Sequence, residues 1–125
     1  MNVVDSSAWL EYFAGGRNAA FFSEAVEKTA ELIVPTICLY EVFKRIVQQR
    51  SENEALQAVA VMQQGIISEL DPQTALGAAR ISIEHQLPMA DSLILATAKV
   101  KKATLWTQDS HFEKMADVKY RKASG

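Results

Sequence analysis

The sequence predicts a three-layer α/β/α domain built on a mostly parallel five-stranded sheet. Three observations carry this reading: short β-branched runs, longer segments of helical period between them, and capping or helix-stopping residues at the junctions. Parallel strands need a crossover between them, and right-handed crossovers lay helices over both faces of the sheet.

Asn2-Val3-Val4 is the first strand, closed by Asp5-Ser6-Ser7, residue types whose side chains accept the free N–H groups of a starting helix. Ala8, Trp9, Tyr12 and Phe13 then recur at helical spacing until Gly15-Gly16 stops the helix. From Asn18 to Lys28 a second helix places Phe21, Phe22, Ala25 and Val26 on one side, and Leu32-Ile33-Val34 follows as a buried strand ended by Pro35. Helices are expected from about Thr36 to Arg50 and from Ser51 to Gln64, where Gly65 terminates the second. Ile66 to Leu70 reads as a third strand, and Asp71-Pro72 opens a helix from about Gln73 to His85, with proline in its first turn. Leu87-Pro88 breaks that helix. A further helix spans about Ala90 to Lys102, Ala103 to Trp106 is a fourth strand, Ser110 to Met115 a short helix, and Val118 to Tyr120 an edge strand.

At 125 residues, 49% hydrophobic and 22% charged, with five Gly and three Pro, the chain has the proportions of one ordinary domain covering residues 1–125. Its lone cysteine, Cys38, cannot form an internal disulfide and is expected to be a small buried hydrophobe in a reducing compartment. Met1 to Asp5 shows neither a basic leader nor an apolar core, and no stretch approaches the roughly 18 uninterrupted apolar residues of a membrane span. A soluble, cytoplasmic protein with no membrane association is expected.

The net charge of −2 argues against gripping nucleic acid through bulk positive field alone. Its distribution is uneven, because residues 1–98 hold six Lys/Arg against twelve Asp/Glu while the stretch from Lys99 onward holds seven against three. That stretch, with a basic tail at about 121–125, either faces an anion or is a solvated helix face and terminus. Trp9, Tyr12, Phe13, Phe21 and Phe22 put more aromatic surface on the first two helices than one sheet face obviously consumes, so either part of it forms an exposed patch for another chain or all five are core.

Asp5, Asp91 and Asp109 each stand where a strand or loop hands over to a helix. Any one of them can be a helix cap. As a set they point elsewhere, since ligands of parallel sheets gather at the carboxyl ends of the strands, and Asp5 and Asp109 both follow such an end. Glu41 has two readings. It forms an i,i+4 pair with Arg45, or it is a carboxylate on a mostly buried helix among Cys38, Leu39, Tyr40, Val42 and Phe43, where it needs a partner or a metal. Converging carboxylates repel unless a cation joins them, and all-oxygen ligands suit Mg²⁺ or Mn²⁺. Zinc would want His or Cys at ligand spacing, which His85, His111 and Cys38 do not offer, and both histidines read as ordinary surface or partly buried groups. Such a metal site activates a water and shields a phosphodiester's developing charge, so phosphodiester hydrolysis is the leading chemistry expected. Ser6 and Ser7 lack a nucleophile elbow, and Gly15-Gly16 is neither a phosphate-binding loop nor a dinucleotide fingerprint.

Four segments carry a resemblance: Asp5-Ser6-Ser7-x-x-Leu10, Glu41 on the helix after the second strand, Leu87-Pro88-Met89-Ala90-Asp91-Ser92-Leu93-Ile94-Leu95-Ala96-Thr97-Ala98, and Leu105-Trp106-Thr107-Gln108-Asp109-Ser110-His111-Phe112. They resemble, in order and across nearly the whole chain, the four acidic motifs of the PIN-domain family. In length and spacing they are similar to its VapC-type toxins of prokaryotic type II toxin–antitoxin modules. The resemblance implies a sheet of order 3-2-1-4-5 and an acidic quartet of Asp5, Glu41, Asp91 and Asp109 holding Mg²⁺ or Mn²⁺, with Ser6 and Thr107 as hydroxyls that order the site. It implies a metal-dependent endoribonuclease acting on RNA, a cognate antitoxin protein as partner, and a homodimer. Trp106 departs from the pattern, being bulkier than the aliphatic residue more usual before the threonine. Two other readings stand beside this one: a phospho-receiver domain modified on Asp71, and a catalytically silent PIN-like binding module.

Overall fold

A computed structural model describes residues 1–123. The chain runs β1 (Asn2–Val4), α1 (Ser6–Ala14), α2 (Ala19–Val26), β2 (Leu32–Pro35), α3 (Thr36–Gln49), α4 (Glu52–Met62), β3 (Ile66–Ser68), α5 (Pro72–His85), α6 (Met89–Val100), β4 (Thr104–Thr107) and β5 (Val118–Tyr120), with 3-10 turns at Thr29–Glu31 and Ser110–Phe112. Every strand pairing is parallel and the order is β3-β2-β1-β4-β5, as the resemblance implied. The helices pack in sequential pairs, α1 with α2, α3 with α4 and α5 with α6, about this sheet.

The three inner strands, β2, β1 and β4, are the most apolar part of the fold. Val3, Val4, Val34, Leu105 and Trp106 are buried, together with Leu32 and Ile33. Val3 registers with Leu105 and Val4 with Trp106, and the ladder continues past the strand end through the Asp5 N–H to the Trp106 carbonyl at 3.0 Å. That bond fixes the height at which Asp5 leaves the sheet. Gly15 ends α1 in the left-handed conformation at φ 64°, a backbone geometry that glycine adopts without a Cβ penalty.

Several expectations need correction. Strand β3 ends at Ser68 rather than Leu70, and it is a short edge strand whose Ile66 and Ile67 are 47% and 37% exposed. After β4 there is one 3-10 turn, Ser110–Phe112, in place of a helix reaching Met115. Helix α3 is buried only along Cys38, Val42 and Ile46, with Tyr40 and Val47 facing outward. The five N-terminal aromatics form no exposed patch: Trp9 and Phe22 are fully buried, and Tyr12, Phe13 and Phe21 pack against the core. Ser124 and Gly125, at the end of the expected basic tail, lie outside the described residues.

The sheet order also removes the phospho-receiver reading. Receiver sheets run 2-1-3-4-5, with the third strand beside the first. Here β3 lies at the outer edge, and Asp71 accepts the Thr74 N–H at 2.8 Å as the cap of α5.

Trp106 is accommodated by neighbours chosen for it. Its indole N–H donates to Asn2 Oδ1 at 2.9 Å, Phe21 packs on its ring at 5.1 Å, and Lys119 lies over it at 4.6 Å, while Arg121 covers Phe21 at 4.5 Å. Two of the C-terminal cations thus serve packing through cation–π contact.

Phe112 closes the turn after β4 and is fully buried. Phe112→Ala is expected to lower stability by about 3–5 kcal/mol in urea unfolding, whereas Leu76→Ala, 69% exposed on α5, should change it by less than about 0.5 kcal/mol.

Candidate active site

Asp5, Glu41, Asp91 and Asp109 line one cleft of about 420 Å³ at the carboxyl edge of the sheet, together with Ser6, Lys44 and Arg45. Each acid arrives from a different segment. Asp5 follows β1 and caps α1, accepting the Ala8 N–H at 3.0 Å. Asp109 follows β4 and caps the 3-10 turn, accepting the His111 backbone N–H at 2.9 Å. Glu41 projects from α3. Asp91 lies in the first turn of α6, whose N-cap is Pro88, and its carboxylate meets the His111 ring at 2.9 Å. Asp5 and Asp109 therefore do cap helical turns, while the side chain of Asp91 is turned to another element.

Two hydroxyls order the acids. Thr107, fully buried at the end of β4, donates to Asp5 Oδ2 at 2.6 Å and accepts the Asp109 backbone N–H at 2.9 Å, so one side chain couples the two loops. Ser6 donates to Glu41 Oε1 at 2.6 Å. Glu41 is thus held across the cleft from α1 rather than paired with Arg45 along its own helix. Ser7 adds a third donor to Asp5, at 2.8 Å.

The tightest cluster is not the expected quartet. Donor atoms of Asp91, Asp109 and His111 all lie within 4.8 Å of one another, whereas Asp5 and Glu41 line the same cleft outside that group. His111, taken from sequence as an ordinary surface group, sets its Nδ1 2.9 Å from Asp91 and 3.1 Å from Asp109. The signal that could have found it was its place two residues beyond Asp109, inside the turn that Asp109 caps.

Electrostatics record the crowding. Burial pushes the Asp5 carboxyl up to about 7, against the opposing bonds from Thr107, Ser7 and Ala8 and with the charge of Asp109 adding to the rise. Asp91 is pushed up to about 6, again by burial first, with the His111 bond opposing and Asp109 reinforcing. The hydrogen bond to Asp91 raises His111. Cys38, buried with its Sγ 3.8 Å from the Val4 carbonyl, is raised by burial and is not a nucleophile. Carboxylate oxygens with one imidazole nitrogen form a donor set that fits a hard to borderline divalent cation, which would offset both the burial that raises Asp5 and Asp91 and the added repulsion from Asp109.

Fold and site together define an α/β domain with an acidic cleft at the carboxyl edge of its central strands. The chain belongs to the PIN domain family, whose model matches residues 3–118. Among curated proteins none matches it in sequence. Among solved structures it is similar to a toxin–antitoxin complex from Klebsiella pneumoniae, with a TM-score of 0.81 and 20% identity over 95% of this chain and 96% of that one. It is also similar to VapC20 of Mycobacterium tuberculosis, described as a Sarcin-Ricin loop cleaving toxin, at 0.78 and 14% over 93% and 95%. DNA-bound VapBC from Salmonella typhimurium gives 0.74 and 14% over 97% and 96%.

Two outcomes follow for the metal-free protein. Because folded Asp5 keeps a proton between the ordinary 3.8 and about 7 that the unfolded chain has released, stability should fall as pH rises through that window and level off above it. Asp91 contributes in the same sense up to about 6. Thermal melts in chelator across this range check it, with Asp5→Asn expected to flatten the slope. Thr107→Val, which keeps the shape but removes the hydroxyl from Asp5 and from the Asp109 N–H, should cost about 1–3 kcal/mol, and Thr107→Ser markedly less.

Proposed function

We propose that the protein is a metal-dependent endoribonuclease and the toxin of a toxin–antitoxin pair. One observation carries the reading: carboxylates from four separate segments meet in a single cleft at the edge where parallel-sheet ligands bind, with Asp91 and Asp109 close enough to share one histidine. Asp91 and Asp109 are the central metal ligands, with Asp5 and Glu41 completing the quartet directly or through water. A bound Mg²⁺ or Mn²⁺ supplies a counter-charge for the phosphate and an activated water for in-line attack.

The chain's own residues do the rest. Thr107 holds Asp5 and the Asp109 loop in one register, and Ser6 keeps Glu41 turned into the cleft. Lys44 and Arg45, exposed on the cleft wall, neutralise flanking phosphates of the RNA. Of the basic C-terminal stretch, Lys99, Lys102 and Lys114 line an adjoining groove of about 1040 Å³ that also contains His111, giving the strand a path past the acids.

The antitoxin partner, the homodimer and a cytoplasmic location belong to this reading too. The antitoxin partner is supported by the likeness to toxin–antitoxin complexes. Among the described residues no helix is long and apolar enough to cross a membrane.

Single-stranded and structured RNA incubated with the protein should be cleaved with Mg²⁺ or Mn²⁺ and left intact in EDTA. Asp91→Asn should abolish cleavage while the metal-free fold persists or gains stability, because it removes a carboxylate from a crowded cleft. Cleavage that survives EDTA, or an Asp91→Asn variant as active as wild type, contradicts the proposal. Analytical ultracentrifugation should show a dimer, and a larger complex with the product of a neighbouring small open reading frame.

A further inference from the structure

We propose that His111 is a direct ligand of the divalent ion and that it biases this site toward Mn²⁺ over Mg²⁺. The inference rests on the metal-dependent reading above and adds to it a residue that the acidic quartet does not include.

The geometry is that of a ligand. His111 Nδ1 stands 2.9 Å from Asp91 Oδ2 and 3.1 Å from Asp109 Oδ1. Neighbouring ligands on an octahedral ion with bonds of about 2.1 Å lie about 3.0 Å apart. Each of the two His111-to-carboxylate separations is thus that of adjacent ligands, and a proton on Nδ1 lies where the ion would sit. On metal binding that proton leaves Nδ1 for solvent or for Nε2, as imidazole ligation requires.

The ring is held there by its backbone. His111 lies in the 3-10 turn that Asp109 caps, its own N–H bonded to Asp109 Oδ1 at 2.9 Å, and the next residue, Phe112, is fully buried. Asp109 is in turn tied to Thr107. The turn therefore delivers a carboxylate and an imidazole to one point from positions two residues apart. A histidine that served only to fasten the turn to α6 needs a single carboxylate, whereas this nitrogen faces two.

The chemical consequence is selectivity. Mg²⁺ favours oxygen ligands, while imidazole suits transition metals, so a nitrogen in the set raises affinity for Mn²⁺ more than for Mg²⁺. Replacing His111 should narrow that difference. His111→Gln keeps a polar side chain of similar reach but offers oxygen or amide in place of the ring nitrogen, and the 52% exposure of the His111 side chain allows the exchange without disturbing the core.

Electron spin echo spectroscopy of Mn²⁺ bound to the purified wild-type protein reads the ligand without any assay of cleavage. The expected spectrum carries nitrogen modulation from a coordinated imidazole, absent from His111→Gln and His111→Ala. Titration by calorimetry should show Mn²⁺ affinity falling about tenfold or more in both variants, the scale seen when even outer partners of metal ligands are lost, with Mg²⁺ affinity falling much less. Mn²⁺ bound by wild type without nitrogen modulation, or an unchanged Mn²⁺ to Mg²⁺ preference in both variants, overturns the role of His111 and leaves the acidic metal site standing. A wild-type protein that binds neither ion overturns both.

Discussion

Because β1 and β4 lie side by side and parallel, Asp5 and Asp109 must leave the sheet at the same edge and at nearly the same height. The register of Val4 with Trp106, extended by the Asp5 N–H to the Trp106 carbonyl, sets that height. Thr107 then converts strand pairing into site geometry, since its hydroxyl bonds one acid's carboxylate and the backbone of the other. The remaining groups come to this fixed pair: Glu41 from α3 through Ser6, and Asp91 from α6 through His111. A sheet in which any strand separated β1 from β4 would need a different set of residues to make the cleft.

The arrangement works against the free energy of the empty fold. Burial pushes Asp5 and Asp91 toward their protonated forms, and the charge of Asp109 pushes further in the same direction. Hydrogen bonds from Thr107, Ser7 and Ala8 offset part of that for Asp5, and His111 does so for Asp91. The dense ordering of the carboxylates is thus not explained by stability alone. It is explained if the acids are held apart from water and close to one another for a cation that binds them in the ionised form.

Much of this was legible in the residues because it depends on local pattern. The β-branched runs around Val3, Ile33 and Leu105, the capping residues after them and the breaks at Gly15 and Pro88 mark the alternation that makes a parallel sheet. Asp5 and Asp109 could be placed on one edge from that alternation, and their adjacency came only with the strand order that the family resemblance supplied. What local pattern does not encode is which side chains meet across elements. Glu41 bonds Ser6, 35 positions away, rather than the Arg45 one turn along. His111 meets Asp91 across 20 positions, and only its place two residues beyond Asp109 hints locally at the acidic cluster it joins. Trp106 looked like a departure from pattern, and its fit depends on Asn2, Phe21 and Lys119, which only the tertiary structure gathers. Strand β3 stops at Ser68 rather than Leu70, since a run of apolar residues marks a strand without fixing where its pairing ends.

Anomalous diffraction from crystals grown with Mn²⁺ tests the central claim most directly. A strong peak in the cleft within bonding distance of the Asp91 and Asp109 carboxylates, with Asp5 and Glu41 facing it directly or through water, is the result predicted. Crystals that show no peak in the cleft at millimolar Mn²⁺, or a peak bound only by residues elsewhere on the surface, would contradict the account.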